Sequence, residues 1–306
     1  MRLRLTCGLA LTRAGTSGNM VVVLPLPDYR TKQGSGGELE QENLPAPARR
    51  GRVSSNTGAV DEKAPVIEFR HAGKVFDDGT HAVADVSFQV RPEEIVAIVG
   101  PSGCGKSTLL RMASGLSPAT SGEVECSHEL LGYVFQDATL LPWRNVRRNV
   151  ELFGELRGAP KEERARLAQD VIDLVGLKGF ERHYPKALSG GMKMRVSLAR
   201  SLTMKPPLFL FDEPFGALDE ITRERLNDEL LRLFATEDFA AIFITHSVNE
   251  AVYLSNRVLV MSPRPGRIVG EFDVPFDFPR SAELRFEPDF ARLSGQISHA
   301  LRSELP

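Results

Sequence analysis

Between Val66 and Val90 apolar positions alternate with polar ones: Val66, Ile67 and Phe69, then Val86, Phe88 and Val90, on either side of Asp77-Asp78-Gly79. A period of two predicts short strands with one buried face, and the acidic-glycine run predicts the turn joining them. An antiparallel sheet is therefore expected ahead of residue 95. There the pattern changes: Ile95 to Val99 is apolar throughout, and Thr108, Leu109, Leu110 and Met112 begin a helix behind it. A continuous apolar run of this length fits a parallel strand covered on both faces. Leu208 to Phe211 and Ala240 to Ile244 repeat that run, with Leu226, Leu230, Leu233 and Phe234 marking a crossover helix between them. Alternating strands and helices predict an α/β fold with a doubly wound core and an N-terminal antiparallel β subdomain.

An amphipathic helix is expected from Pro160 to Val175, with Ala165, Leu167, Ala168, Val171, Ile172, Leu174 and Val175 on one face and Gly176 ending it. It lies within an inserted α-helical subdomain of about residues 137–200. Phe272 to Leu301 reads as strand and then helix, with Phe286, Phe290, Leu293 and Ile297 on one helix face. That stretch is expected to pack on the remainder of a domain spanning 65–306. Residues 1–64 differ, because Gly34 to Gly37, Pro45, Pro47, Arg49 to Arg52 and Ser54 to Gly58 lack periodicity. They are expected to form a disordered N-terminal extension. Arg2 and Arg4 ahead of Leu9 to Leu11 faintly resemble a targeting leader, and a start at Met20 is the alternative to it.

Charge narrows the choice of partners. The 306 residues carry 38 Lys+Arg against 40 Asp+Glu, a formal charge of −2, so the chain as a whole does not call for nucleic acid or an anionic membrane. Cys7, Cys104 and Cys126 have no metal-ligand spacing and suit a reducing, cytoplasmic compartment. No apolar run approaches the roughly 20 residues that cross a bilayer, so any membrane association is expected through a partner.

The candidate chemistry begins at Gly100-Pro101-Ser102-Gly103-Cys104-Gly105-Lys106-Ser107-Thr108, between the predicted strand and helix. Glycines at 100, 103 and 105 let the backbone turn several N–H groups inward at a helix N-terminus, which favours phosphate oxygens. This is the context of a P-loop nucleotide site. Lys106 is expected to reach the β- and γ-phosphates of ATP, and the Ser107 hydroxyl to ligate Mg2+. Cys104 admits a redox reading, but a small residue contributing backbone contacts is the simpler one. Leu208 to Phe211 ends in Asp212-Glu213. Asp212 is placed to hold magnesium through a water, and Glu213 to orient a water for attack on the γ-phosphorus. An acidic pair capping the helix after Pro214 is the bland alternative.

Leu188-Ser189-Gly190-Gly191 ahead of Arg195 resembles the signature loop of ATP-binding cassette proteins. Val134-Phe135-Gln136 resembles their Q-loop, Ala217-Leu218-Asp219 their D-loop and Thr245-His246 their switch histidine, while Phe76 stands where such proteins stack an aromatic ring on adenine. The resemblance spans roughly Val66 to Met261. It implies that Ser189, Gly190 and Gly191 close over ATP held by a second copy of the chain, that His246 meets the γ-phosphate, and that Gln136 senses magnesium and water. Taken alone, His246 also fits a core histidine and Phe76 a packing residue. Met192 and Met194 depart from the family's usual glutamine, and Ser247 from its usual aspartate.

Gln136 to Trp143, Phe215 to Glu220 and Met261 to Arg267 resemble importers of nitrate, of sulfonates such as taurine, and of related small solutes. That likeness implies an ATPase subunit on the cytoplasmic face of the cell membrane, docked on an integral membrane permease and indirectly served by a solute-binding protein. Pro142 and Trp143 are the candidates for the docking groove, and packing is the other reading of Trp143. A cassette acting on RNA or DNA is the alternative class, though the single cassette and near-neutral charge count against it. A small-molecule kinase predicts no signature loop.

Overall fold

The computed structural model describes residues 64–304 apart from Glu129 and Ala217. Residues 1–63, nearly all of the expected N-terminal extension, lie outside the described residues, as does Ala217 of the Ala-Leu-Asp segment.

The alternating segments fold as expected into β1 (Ile67–Val75) and β2 (His81–Val90). They run antiparallel, pairing Ile67 with Val90 and Phe69 with Phe88, whose rings stack with centroids 4.5 Å apart. Strand β3 (Ile95–Val99) follows, buried throughout, and then helix α1 (Lys106–Ala113). The third strand of the antiparallel sheet comes from beyond that helix: β4 (Ser121–Cys126) pairs with the other edge of β1. Two strands of the expected antiparallel sheet thus precede the loop at Gly100, and the third follows it. Ser121-Gly122-Glu123-Val124-Glu125-Cys126 carries little apolar alternation, which hid the strand from a periodicity argument.

After β5 (Leu131–Val134) the chain makes α2 (Val146–Val150), α3 (Leu152–Leu156), α4 (Lys161–Leu174) and α5 (Gly190–Leu202) before returning as β6 (Leu208–Asp212). Helix α4 buries Ala168 and Ile172, while Leu174, expected on the same face, is exposed. Helix α6 (Glu220–Thr236) then crosses to β7 (Ala240–Ile244), and α7 (Val248–Leu254) leads to β8 (Arg257–Met261) and β9 (Ile268–Asp273). Asp219 starts α6 by accepting the Thr222 N–H at 3.0 Å, and Leu226, Leu230 and Leu233 recur at helical spacing to give it a buried face.

Among the described residues these strands form one sheet in the order β5-β6-β7-β3-β8-β9, parallel except for β9. Because successive strand residues point to opposite faces, the sheet has two cores. Ala97, Val99, Phe209, Phe211 and Phe243 pack against the large helices, whereas Val96, Ile98, Leu210 and Ile242 pack against α1 and the antiparallel sheet. Each large apolar side chain buried this way contributes about 1.5–3 kcal/mol.

The last helix, α8 (Pro288–Ser303), buries Phe290 and Ile297. Phe286 is not on that face. Pro288 opens the helix, so Phe286 belongs to the preceding 3-10 turn and is 87% exposed. Arg280 anchors this tail, its guanidinium donating to the carbonyls of Val252, Tyr253 and Ser255 at the C-terminus of α7, each at 2.9 Å. A cation there complements the negative end of the helix dipole.

Candidate functional site

The carboxyl ends of β3, β6 and β7 lie side by side. Asp212 pairs in register with Ile244, and Ile244 with Ile98, so the segments beginning at Gly100, Glu213 and Thr245 leave the sheet at one edge. In open α/β sheets that edge is where ligands bind.

The loop from Gly100 to Gly105 is shaped by steric exclusion. Gly105 has φ +110°, and a Cβ there would lie 2.6 Å from the Ala82 carbonyl oxygen. No other residue fits without displacing β2. The N-terminus of α1 has no side-chain cap, as is also true of α3, α4 and α8, but α1 alone of these begins at the glycine loop. The first N–H groups of α1 are thus left for an anion. Within this loop Ser102 and Gly103 are exposed, Pro101, Gly105 and Ser107 half-buried, and Cys104 and Thr108 buried. Burial pushes the Cys104 thiol up, which disfavours the redox reading and leaves its backbone as its contribution.

Lys106 is buried, and its ammonium donates to the carbonyls of Gly100 at 2.9 Å and Pro101 at 3.0 Å. The same nitrogen lies 3.7 Å from Glu213 Oε1, and Glu213 Oε2 lies 3.6 Å from His246 Nδ1. Glu213 holds φ +48°, a left-handed conformation rare outside glycine, fixed in part by its N–H donating to the Ile244 carbonyl at 3.0 Å. His246 is open to solvent, its side chain 54% exposed, and so is not the core residue that an isolated histidine could have been.

Ser107 donates its hydroxyl to Asp212 Oδ1 at 2.8 Å, and Tyr133 donates to Asp212 Oδ2 at 3.2 Å. Burial raises the Asp212 carboxyl above its ordinary range, an effect these two hydrogen bonds oppose. A carboxylate and a hydroxyl in contact are the hard oxygen donors that magnesium takes. Gln136 follows β5, and its Nε2 is 3.4 Å from where a Gly216 Cβ would stand, in the segment after Glu213. Phe76 lies at the turn after β1, exposed rather than packed, with Lys74 Nζ 5.7 Å from its ring centroid.

Ser189, Gly190 and Gly191 open α5. Ser189 Oγ accepts the Met192 N–H at 3.3 Å, and the positions a Cβ would occupy on Gly190 and Gly191 fall 3.3 Å from Leu218 and 2.9 Å from Thr222. The contacts of this loop thus run to the start of α6. Met194 packs in the core, and Ser247 caps α7 by accepting the Glu250 N–H at 3.3 Å, work that an aspartate would do equally. Trp143 is 71% exposed and is not a packing residue.

Tyr133 and Arg264 escaped the sequence reading. Arg264 Nε and Nη2 both donate to the Gly103 carbonyl, at 3.1 and 2.8 Å, and so fasten the phosphate loop from 161 residues away. Its segment Met261 to Arg267 stood out in the sequence, but nothing in it indicated this contact.

The family profile described as ABC transporter matches residues 83–216. A nitrate import ATP-binding protein of Synechocystis sp. is 42% identical over 234 residues, covering 72% of this chain and 88% of that protein. A taurine import ATP-binding protein of Rhizobium johnstonii is 41% identical over 236 residues, covering 73% and 90%. The dimeric structure of a post-hydrolysis ATP-binding cassette bound to ADP and Pi is similar at TM-score 0.61 and 30% identity, over 69% of this chain and all of that one.

Proposed function

Because this chain belongs to the ATP-binding cassette transporter family of ATPases, we propose that it is the ATP-hydrolysing subunit of an importer for a small solute such as nitrate or a sulfonate. The observation that carries the reading is the convergence of Lys106, Asp212, Glu213 and His246 on one sheet edge, above the uncapped start of α1.

Backbone N–H groups of Gly103 to Thr108 take the β-phosphate of ATP, with Gly100, Pro101 and Ser102 forming the outer wall of the loop. Lys106 exchanges its carbonyl partners for β- and γ-phosphate oxygens. Phe76 offers its open face to adenine. A bound magnesium would neutralise charge on the phosphates. The residues present fit it: Ser107 Oγ would be a direct ligand and Asp212 would hold it through a water, with Gln136 as the expected sensor of both. Glu213 orients a water and accepts its proton as the water oxygen bonds to the γ-phosphorus and the bond to the β-phosphate oxygen breaks. His246 holds the γ-phosphate.

Ser189, Gly190 and Gly191 complete the site of a second copy. Ser189 and Gly190 sit exposed at a helix N-terminus, and buried Gly191 packs toward α6. Two chains paired head to tail would bring each signature loop onto the other's γ-phosphate, with ATP joining them and hydrolysis parting them. No helix among the described residues is long and apolar enough to cross a membrane, so movement of solute falls to a partner permease, fed by a solute-binding protein. Pro142 and Trp143, exposed near Gln136, form the docking surface for it at the cytoplasmic face.

Glu213→Gln tests the assignment. It should bind ATP with unchanged affinity, lower turnover about 100-fold or more and accumulate as a nucleotide-bound dimer in size-exclusion chromatography. Turnover at the parent rate would refute the role of Glu213.

A further inference from the structure

Glu250, in the first turn of α7, is buried, and its carboxylate has no role in the site described above. Ser247-Val248-Asn249-Glu250 has the spacing of a capping box, in which a glutamate returns to the N–H of the capping serine. The structure departs from that arrangement. The Ser247 N–H donates instead to Thr245 Oγ1 at 3.0 Å, and the Thr245 hydroxyl donates to Glu250 Oε2. One hydroxyl is thus interposed in the box, and the backbone of His246 is enclosed between its two ends.

The carboxylate also faces α6. Asn227 of that helix is itself buried, and the guanidinium of Arg223, on the same helix, acts on the Glu250 carboxylate. Arg223 donates to the Leu218 carbonyl at 2.9 Å, immediately before the start of α6. Glu250 Oε1 has no hydrogen-bond partner among the described residues. Holding a carboxylate in such a place is unfavourable unless its bonds do something an apolar side chain could not.

We propose that Glu250 is the positioning residue of His246: through Thr245 it fixes the turn that presents the imidazole to Glu213. Its action is indirect, since a displaced imidazole loses its place at the γ-phosphate while the phosphate loop keeps its grip on ATP. The inference rests on the reading of His246 as the γ-phosphate contact.

The test compares Glu250→Ala, Glu250→Gln, Thr245→Val and His246→Ala in the full chain, using MgATP turnover and the NMR signals of ring-labelled histidine. The His246 signal is identified by its disappearance in His246→Ala. Glu250→Ala and Thr245→Val should each lower kcat about 10-fold or more, with KM for MgATP within about two-fold of the parent, and both should move the His246 signal. Glu250→Gln, which keeps an oxygen for the Thr245 hydroxyl, should recover kcat to within about three-fold of the parent and restore the signal. MgADP titration verifies that each variant is folded. A His246 signal unmoved in Glu250→Ala, or kcat and KM changing together, overturns the proposal. Full turnover in His246→Ala would instead overturn the underlying reading of the site, so the two failures are distinct.

Discussion

Lys106 Nζ and Glu213 Oε1 face each other across 3.7 Å, with the lysine otherwise bound only to the carbonyls of its own loop. The ammonium is thus already desolvated and aimed, and ATP need only replace weak acceptors with charged ones. Lys106→Ala is expected to weaken ATP binding about 50-fold or more and to reduce hydrolysis to background, measured by calorimetric titration and phosphate release. Binding within a few-fold of the parent would contradict this.

Asp212 combines a functional need with a stability cost. Its carboxyl is raised by burial, so the folded chain holds a proton more readily than the unfolded chain, and the ionised form loses stability as pH rises through that raised value. Asp212→Asn should therefore melt above the parent at pH 8, with the gap closing as pH falls below the ordinary carboxylate range. Magnesium-dependent turnover should fall about 100-fold or more in the same protein.

Arg264 holds the Gly103 carbonyl outward from the phosphate loop with two N–H donors. Arg264→Ala frees that peptide to rotate, and should raise the apparent KM for ATP about five-fold while kcat changes less than two-fold. Steady-state kinetics distinguish this from a loss of chemistry, which would lower kcat instead.

Arg200 lies wholly buried on α5, donating to the carbonyls of Ala138 at 3.3 Å and Thr139 at 3.2 Å just beyond Gln136. Burial lowers its pKa to about 10. It joins the helix that starts at Ser189 to the loop that meets the proposed permease. Arg200→Met should destabilise the chain by about 2 kcal/mol in urea and raise amide exchange of residues 137–141 about 10-fold.

The parts of the site legible in the sequence were those carried by contiguous residues. Gly100 to Thr108, Asp212-Glu213 and Ser189 to Gly191 each place their groups through the local backbone, so spacing alone predicts their geometry. Tyr133 and Arg264 meet the site through contacts spanning 79 and 161 residues, which only the packed sheet creates. The apolar runs forming β3, β6 and β7 were legible because both their faces are buried. Strand β4 was not, because exposed Ser, Gly and Glu residues leave too little apolar period to read. Phe286 was misplaced because a period of 3.6 cannot by itself locate a helix start, which Pro288 sets.

The head-to-tail clasp is tested most directly in the Glu213→Gln background by mixing two defective chains, one also carrying Lys106→Ala and the other Ser189→Arg, and measuring occluded ATP. If the phosphate loop of one copy works with the signature loop of the other, each mixed pair contains one intact site, and about one ATP per mixed pair is retained although neither variant alone retains any. If each chain uses its own two loops, every site in the mixture is defective. Absence of occluded ATP in the mixture would then contradict the account.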